Sequence, residues 1–318
     1  MTSARGITAE PAIIGVDFGA PRRARDQREK IIAIAAHATT GGYRIDATGL
    51  NARLLTTNPP GFEARELLDE LLARPVRVAA FDAPFGIPEA LLADPAFAAA
   101  VGSRPFGGWR SFNAFVAEHL PLTDPLDFTP FAAWRDPTDR ARLWSRRATD
   151  VAANAQPPLK DKFQATFQMT LLGNALLARL WESRAYRVRP FPGGGGDGEV
   201  IEVYPGATLR QLGLASYKAR PDEAVRRVIA ACAGRGIELE VDRRVLEVCR
   251  RYSSGGRSPD HDAADAFVAL GTAILYAEGA CRPALREVTP RSRVAREGAI
   301  WVPTAPETAD TSARYRRG

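Results

Sequence analysis

Ile14-Gly15-Val16-Asp17-Phe18-Gly19 places an acid at the end of an apolar run, and how that segment is read decides the fold. Ala12–Val16 has the length and composition of a buried strand, and the Phe-Gly pair after Asp17 marks its end. A carboxylate in that position costs several kcal/mol to desolvate unless it is paired or bound to a metal. The pattern recurs downstream. Asp82 follows Val78-Ala79-Ala80-Phe81 and precedes the breakers Pro84 and Pro88, while Glu202 stands in Val200-Ile201-Glu202-Val203-Tyr204, stopped by Pro205-Gly206. A fourth acidic segment, Asp260-His261-Asp262-Ala263-Ala264-Asp265-Ala266, opens an apolar helical pattern.

Working outward, Ala12–Val16, Lys30–His37 and Gly42–Thr48 read as a strand meander, with the Arg-rich Ala20–Glu29 as a turn. Phe62–Ala73 has helical spacing through Phe62, Leu67, Leu68 and Leu71, and Val76–Phe81 is a fourth strand able to lie parallel to the first. Helical patterns begin at Pro88 and cover Leu159–Glu182, Asp222–Cys232 and Arg243–Tyr252. Ala185–Phe191 and Glu199–Tyr204 are β-like and flank the Gly193–Gly196 tract, which reads as a hairpin loop and lacks the strand-to-helix context of a phosphate loop. Ser258 and Pro259 stand at the cap and first position of the last helix. Residues 12–282 therefore read as one α/β domain with an aromatic, Pro-rich helical insertion at about 103–158. Residues 283–318 form an extension with a short docking strand near 298–303.

If the first and fourth strands are parallel neighbours, about 4.8 Å apart, their C-terminal ends bring Asp17 and Asp82 side by side. Ligands in open α/β sheets sit at those ends. Glu202 holds the comparable end of its own strand, and Asp262 and Asp265, three apart, share a helix face. Converging acids repel one another unless a cation neutralises them, so the pattern points to an oxygen-rich site for a hard divalent ion. Asp260 reads as a first-turn acid complementing the helix dipole, and His261 as a capping or surface residue.

Taken in order, these segments resemble the ribonuclease-H-like superfamily, and most closely domain-of-unknown-function family 429, described as predicted nucleases. The resemblance rests on Gly15-Val16-Asp17, the run Asp82-Ala83-Pro84-Phe85-Gly86-Ile87-Pro88, Glu202-Val203-Tyr204-Pro205, Tyr217-Lys218 and Asp262-Ala263-Ala264-Asp265-Ala266. Arg147-Ala148-Thr149-Asp150 is similar to a further element, and the closing helix looks like that of RuvC-type junction resolvases. It spans roughly residues 12 to 303, apart from the insertion and tail. The resemblance implies a mixed five-stranded sheet of order 3-2-1-4-5 flanked by helices. It also implies two-metal phosphodiester hydrolysis with Mg²⁺ or Mn²⁺ held by Asp17, Asp82, Glu202, Asp262 and Asp265. Lys218, Arg147 and Arg110 are then the candidates to hold phosphates of a nucleic-acid substrate, DNA or RNA.

Composition narrows the alternatives. No apolar run of about 18 residues exists, so no membrane span is expected, and Met1–Pro11 lacks a signal-peptide core. Three widely spaced cysteines, Cys232, Cys249 and Cys281, imply neither a disulfide framework nor a zinc site, and a reduced cytoplasmic setting is expected. The net charge of +6 tolerates an anionic partner. One rival is an ATP-dependent phosphotransferase of the actin/sugar-kinase type, although Phe18-Gly19-Ala20-Pro21 lacks the Ser/Thr residues that cradle phosphate. The other is a non-catalytic nucleic-acid-binding or assembly protein that keeps the fold and uses Trp109 and Trp134 to stack bases.

Overall fold

A computed structural model describes residues 12–19, 21–162, 166–215, 220–250 and 262–305. Asp260, His261 and Lys218 lie outside the described residues.

The core of the molecule is one mixed sheet. Its strands are β1 (Ile13–Phe18), β2 (Ile31–Thr39), β3 (Gly42–Ile45), β4 (Val78–Asp82), β5 (Tyr186–Val188), β6 (Gly198–Val203), β7 (Glu238–Val241), β8 (Cys281–Pro283) and β9 (Ile300–Pro303). They lie in the order β7-β3-β2-β1-β4-β6-β9-β8, with β5 also paired to β6. The expected five-stranded sheet of order 3-2-1-4-5 is thereby corrected to nine strands among the described residues. The reason is edge pairing, because an open strand edge leaves a row of unsatisfied N–H and C=O groups. The outer edge of β3 is taken by β7, in parallel, and one edge of β6 is shared by β5 along its first half and β9 along its last.

β1 and β2 are antiparallel, whereas β1 and β4 are parallel, with Asp17 opposite Asp82. Side chains alternate between faces along each strand. One face carries Val16, Phe81 and Val200 into a core with the helices Ala64–Ala73, Trp109–His119 and Thr166–Glu182. The other carries Ile13, Val78, Ile201 and Val203 against the helices Pro221–Ala233, Arg243–Arg250 and Asp262–Ala277.

The helix Asp262–Ala277 is apolar nearly all round and lies directly on β1. Gly15 makes this possible. A β-carbon there would stand 2.0 Å from the Leu270 amide nitrogen and 2.4 Å from the Ala266 carbonyl oxygen. Only glycine allows this approach, and the approach brings the helix's first-turn acids to the end of β1.

Local differences from the sequence reading have local causes. Ala24–Lys30 is helical within the Arg-rich turn, and Gly49–Thr56 adds a helix after β3. The helical pattern from Pro88 breaks into Glu89–Leu92 and Pro95–Ala99, because Asp94 caps the second helix and Pro95 cannot continue the first. The aromatic segment packs inward. Trp134 stacks on Phe97 with ring centroids 4.4 Å apart, and Trp109 stacks on Phe191 at 3.9 Å. Both indoles are buried and donate to backbone carbonyls, so neither offers a free face to a base.

Candidate metal centre

The strand register and the closing helix gather three carboxylates. Asp17 and Asp82 are opposite one another at the ends of β1 and β4, and Asp265 comes down onto them from the first turn of Asp262–Ala277. One oxygen from each lies within 4.8 Å of the other two. Oxygens that share one hard cation at about 2.0–2.6 Å can stand no more than about 4–5 Å apart, so this spacing fits a single divalent ion. Asp17 and Asp265 are 7% and 4% exposed, and Asp82 is half-buried, so the cluster is nearly closed on the protein side and open on one.

Asp262 lies beside the cluster, and its Oδ2 accepts from Lys30 Nζ at 2.8 Å. Lys30 precedes β2, and its carbonyl receives the Gly19 amide at 2.9 Å, so the β1–β2 hairpin carries this lysine to the site rim. Sequence reasoning passed over Lys30, and only the hairpin pairing reveals it.

Glu202 is brought near but turned away. In the parallel pair β4–β6 it stands opposite Phe81, one residue before Asp82. One residue of register reverses the face, so Glu202 points to the side of the sheet opposite Asp17 and Asp82. There it enters a buried ionic cluster. Arg147 Nη1 donates to Glu202 Oε2 at 2.8 Å, and Nη2 donates to Oε1 at 2.5 Å. Arg147 Nε and Nη2 also donate to Asp150 at 3.0 and 2.7 Å, and Nη1 reaches the Glu297 carbonyl at 3.2 Å. All five N–H bonds of the guanidinium are thus used inside the protein. Arg147, Asp150 and Glu202 are at most 2% exposed.

The charges of this cluster do not cancel, since one guanidinium serves two carboxylates. Burial opposes the charge on Arg147, but Asp150 and Glu202 outweigh it and hold its pKa above the ordinary value. Burial pushes the Glu202 carboxyl above its usual 4.5, against the pull of Arg147 and with the push of the Asp150 charge. The Arg147 cluster also braces the turn that follows Asp82. Glu202 Oε2 accepts from the Phe85 amide at 3.0 Å, three residues after Asp82.

Glu297, which the sequence did not single out, completes the support. Its carboxylate accepts from the amides of Glu89 (2.8 Å) and Ala148 (2.9 Å), and Thr149 Oγ1 accepts from the Ile300 amide at 2.8 Å, seating β9. Arg110 stands elsewhere, exposed on the helix Trp109–His119 with its guanidinium 5.7 Å from the Trp181 ring centre. It does not line the acidic cavity.

The fold and site define an α/β protein with an acidic centre at the carboxyl ends of adjacent parallel strands. The chain belongs to the family described as "Protein of unknown function (DUF429)", which it matches over residues 15–289. No curated protein matches it. Among solved structures it is similar to the crystal structure of the yeast mitochondrial Holliday junction resolvase Ydc2. That likeness covers 86% of this chain and 82% of that one, at 13% identity and a TM-score of 0.34, too loose to say anything about chemistry. Among the described residues no helix is long and apolar enough to cross a membrane.

Proposed function

We propose that the protein is a divalent-metal-dependent phosphodiester hydrolase, a nuclease built on a ribonuclease-H-like core. The observation that carries this reading is the convergence of Asp17, Asp82 and Asp265 on one point at the mouth of a cavity. On this reading residues 12–282 form the catalytic domain with 103–158 inserted in it, and 283–318 is an extension that braces it through β9.

Asp17, Asp82 and Asp265 would hold the first ion, Mg²⁺ or Mn²⁺, and Asp17 with Asp262 would serve a second once Lys30 moves aside. Bound there, such ions supply Lewis acidity, lowering the pKa of water and offsetting charge on the phosphate. The protein contributes position. The β1–β4 register fixes two ligands, the Gly15 contact fixes the helix that carries the third, and the Arg147–Glu202 pair holds the turn after Asp82. Phosphate contacts would come from Lys30 and Lys218, since Arg147 is fully engaged inside the protein.

The test is cleavage of labelled nucleic acid by the purified protein with Mn²⁺ or Mg²⁺, beside Asp17→Asn. Cleavage is expected only with metal and only in the wild type; activity that survives the substitution would overturn the reading.

A further inference from the structure

A second cavity, of about 500 Å³, lies between the helices Trp109–His119 and Thr166–Glu182. It shares no described residue with the acidic cavity. Its volume falls within the roughly 300–1,000 Å³ of small-molecule sites.

Asn113, which lines this cavity, is 2% exposed. Its Nδ2 donates to Asn174 Oδ1 at 2.9 Å, and Asn174 Nδ2 donates to the carbonyls of Thr170 at 2.7 Å and Pro84 at 3.0 Å. Only the nitrogen of Asn174 can serve two carbonyls, so its oxygen accepts and the Asn113 amide is held in one orientation. Asn174 is fully buried and does not line the cavity, so Asn113 turns its nitrogen to the core and keeps Oδ1 for the cavity side. That oxygen has no hydrogen-bond partner among the described residues. A buried acceptor left in this way calls for a ligand that brings an N–H.

The surroundings suit a flat, anionic ligand. Trp181 is half-buried on the opposite helix. Its ring is fixed by an edge-to-face contact with Trp109 at 5.4 Å and by the backbone of Gly193 and Gly194, where a β-carbon would stand 3.3 or 3.2 Å from it. The exposed Arg110 guanidinium lies 5.7 Å from the centre of that ring. The 11-residue helix Trp109–His119 also begins at this cavity, and its N-cap, Gly108, has no side chain to bond the first-turn amides. A β-carbon at Gly107 or Gly108 would meet nothing within 4 Å, so those amides are open to an anion. Glu182 lines the cavity too, but its carboxylate accepts from Arg179 Nη1 at 3.2 Å, which offsets its charge.

We infer that this cavity binds a nucleotide unit. The base lies on Trp181 and donates an amino N–H to Asn113 Oδ1, while Arg110 and the first-turn amides hold the phosphate. A free mononucleotide and a residue of a nucleic-acid strand present the same chemistry. The site is separate from the acid cluster, so its occupation does not depend on the hydrolase reading.

The experiment is calorimetric titration of the full chain, without metal, with four probes. They are adenosine 5′-monophosphate (AMP), adenosine, purine riboside 5′-monophosphate, which lacks the amino group, and a short oligodeoxyadenylate. AMP should bind, and adenosine and the purine analogue should each bind about tenfold more weakly, the worth of one hydrogen bond. Ala114→Trp fills the cavity from an exposed helix position. It should keep the wild-type Tm and the wild-type response to Mn²⁺, yet lose AMP. Of the binding that this variant loses, a tighter oligonucleotide identifies the ligand as part of a strand and a tighter AMP as a free nucleotide. AMP that does not bind, that binds no tighter than either analogue, or that binds Ala114→Trp as well as the wild type overturns the inference.

Discussion

Arg147 grips Glu202 through two parallel hydrogen bonds at a place where neither side chain touches solvent. Removing one member of such a pair strands the other, and the cost is about 3–5 kcal/mol. Arg147→Met, which leaves Glu202 and Asp150 buried without their cation, should therefore unfold at a much lower urea concentration than the wild type. Arg147→Met combined with Glu202→Gln should recover part of the loss. A double variant no more stable than the single would disprove the pairing energetics.

The same pair gives a pH dependence of defined sign. Because burial raises the folded pKa of Glu202 above 4.5, the folded state binds the proton more tightly than the unfolded chain does. This group's contribution is then fully present below pH 4.5 and is lost as pH rises through the folded value. Glu202→Gln should flatten that decline in denaturant unfolding measured as pH is raised from 4.5. Equal slopes for the two proteins would refute it.

Gly15 is the closest approach of helix to sheet at the site. Gly15→Ala must displace the Asp262–Ala277 helix from β1, at about 1–3 kcal/mol for an overpacked contact. The displacement should carry Asp265 away from Asp17. Both a lower Tm and a loss of Mn²⁺-induced stabilisation are expected, and a variant that keeps the metal response would show that the helix tolerates the shift.

The acid cluster should be visible in stability alone. Ion binding at about one hundred times Kd stabilises a folded protein by about 2.7 kcal/mol. That increment should vanish in Asp17→Asn, Asp82→Asn and Asp265→Asn, while Asp262→Asn retains most of it. An Mn²⁺-induced increment that persists in all three would argue against the cluster as an ion site.

Cys232 and Cys249 are buried, which pushes their thiols up to about 12. Since the thiolate is the reactive form, neither should react with a thiol reagent in the native protein at pH 8, and both should react in denaturant. Rapid native labelling of either would contradict the packing around the helices Pro221–Ala233 and Arg243–Arg250.

Much of the site is legible in the sequence wherever the signal is local. Two apolar runs ending in Asp17 and Asp82 announce strand ends, and Asp262 with Asp265 at a three-residue spacing announces one helix face. Glu202 shows the limit. Its run names the strand but not the register, and a single residue decides which face a side chain occupies. Glu297 is farther from local pattern still, since it meets Arg147 and Ala148 across about 150 residues of chain. β7 escapes for another reason: Glu238–Val241 is short and lies on the sheet edge, so it buries too little to leave a hydrophobic trace.

The order of the acids along the chain has a consequence during synthesis. Asp17 and Asp82 emerge from the ribosome before Asp265, which arrives 183 residues after Asp82, and the β9 strand that braces the wall comes later still. Until then the nascent polypeptide carries two acids without their partner. A chain that lacks the closing helix holds two of the three clustered acids, so the cluster can be assembled only after that helix has been made.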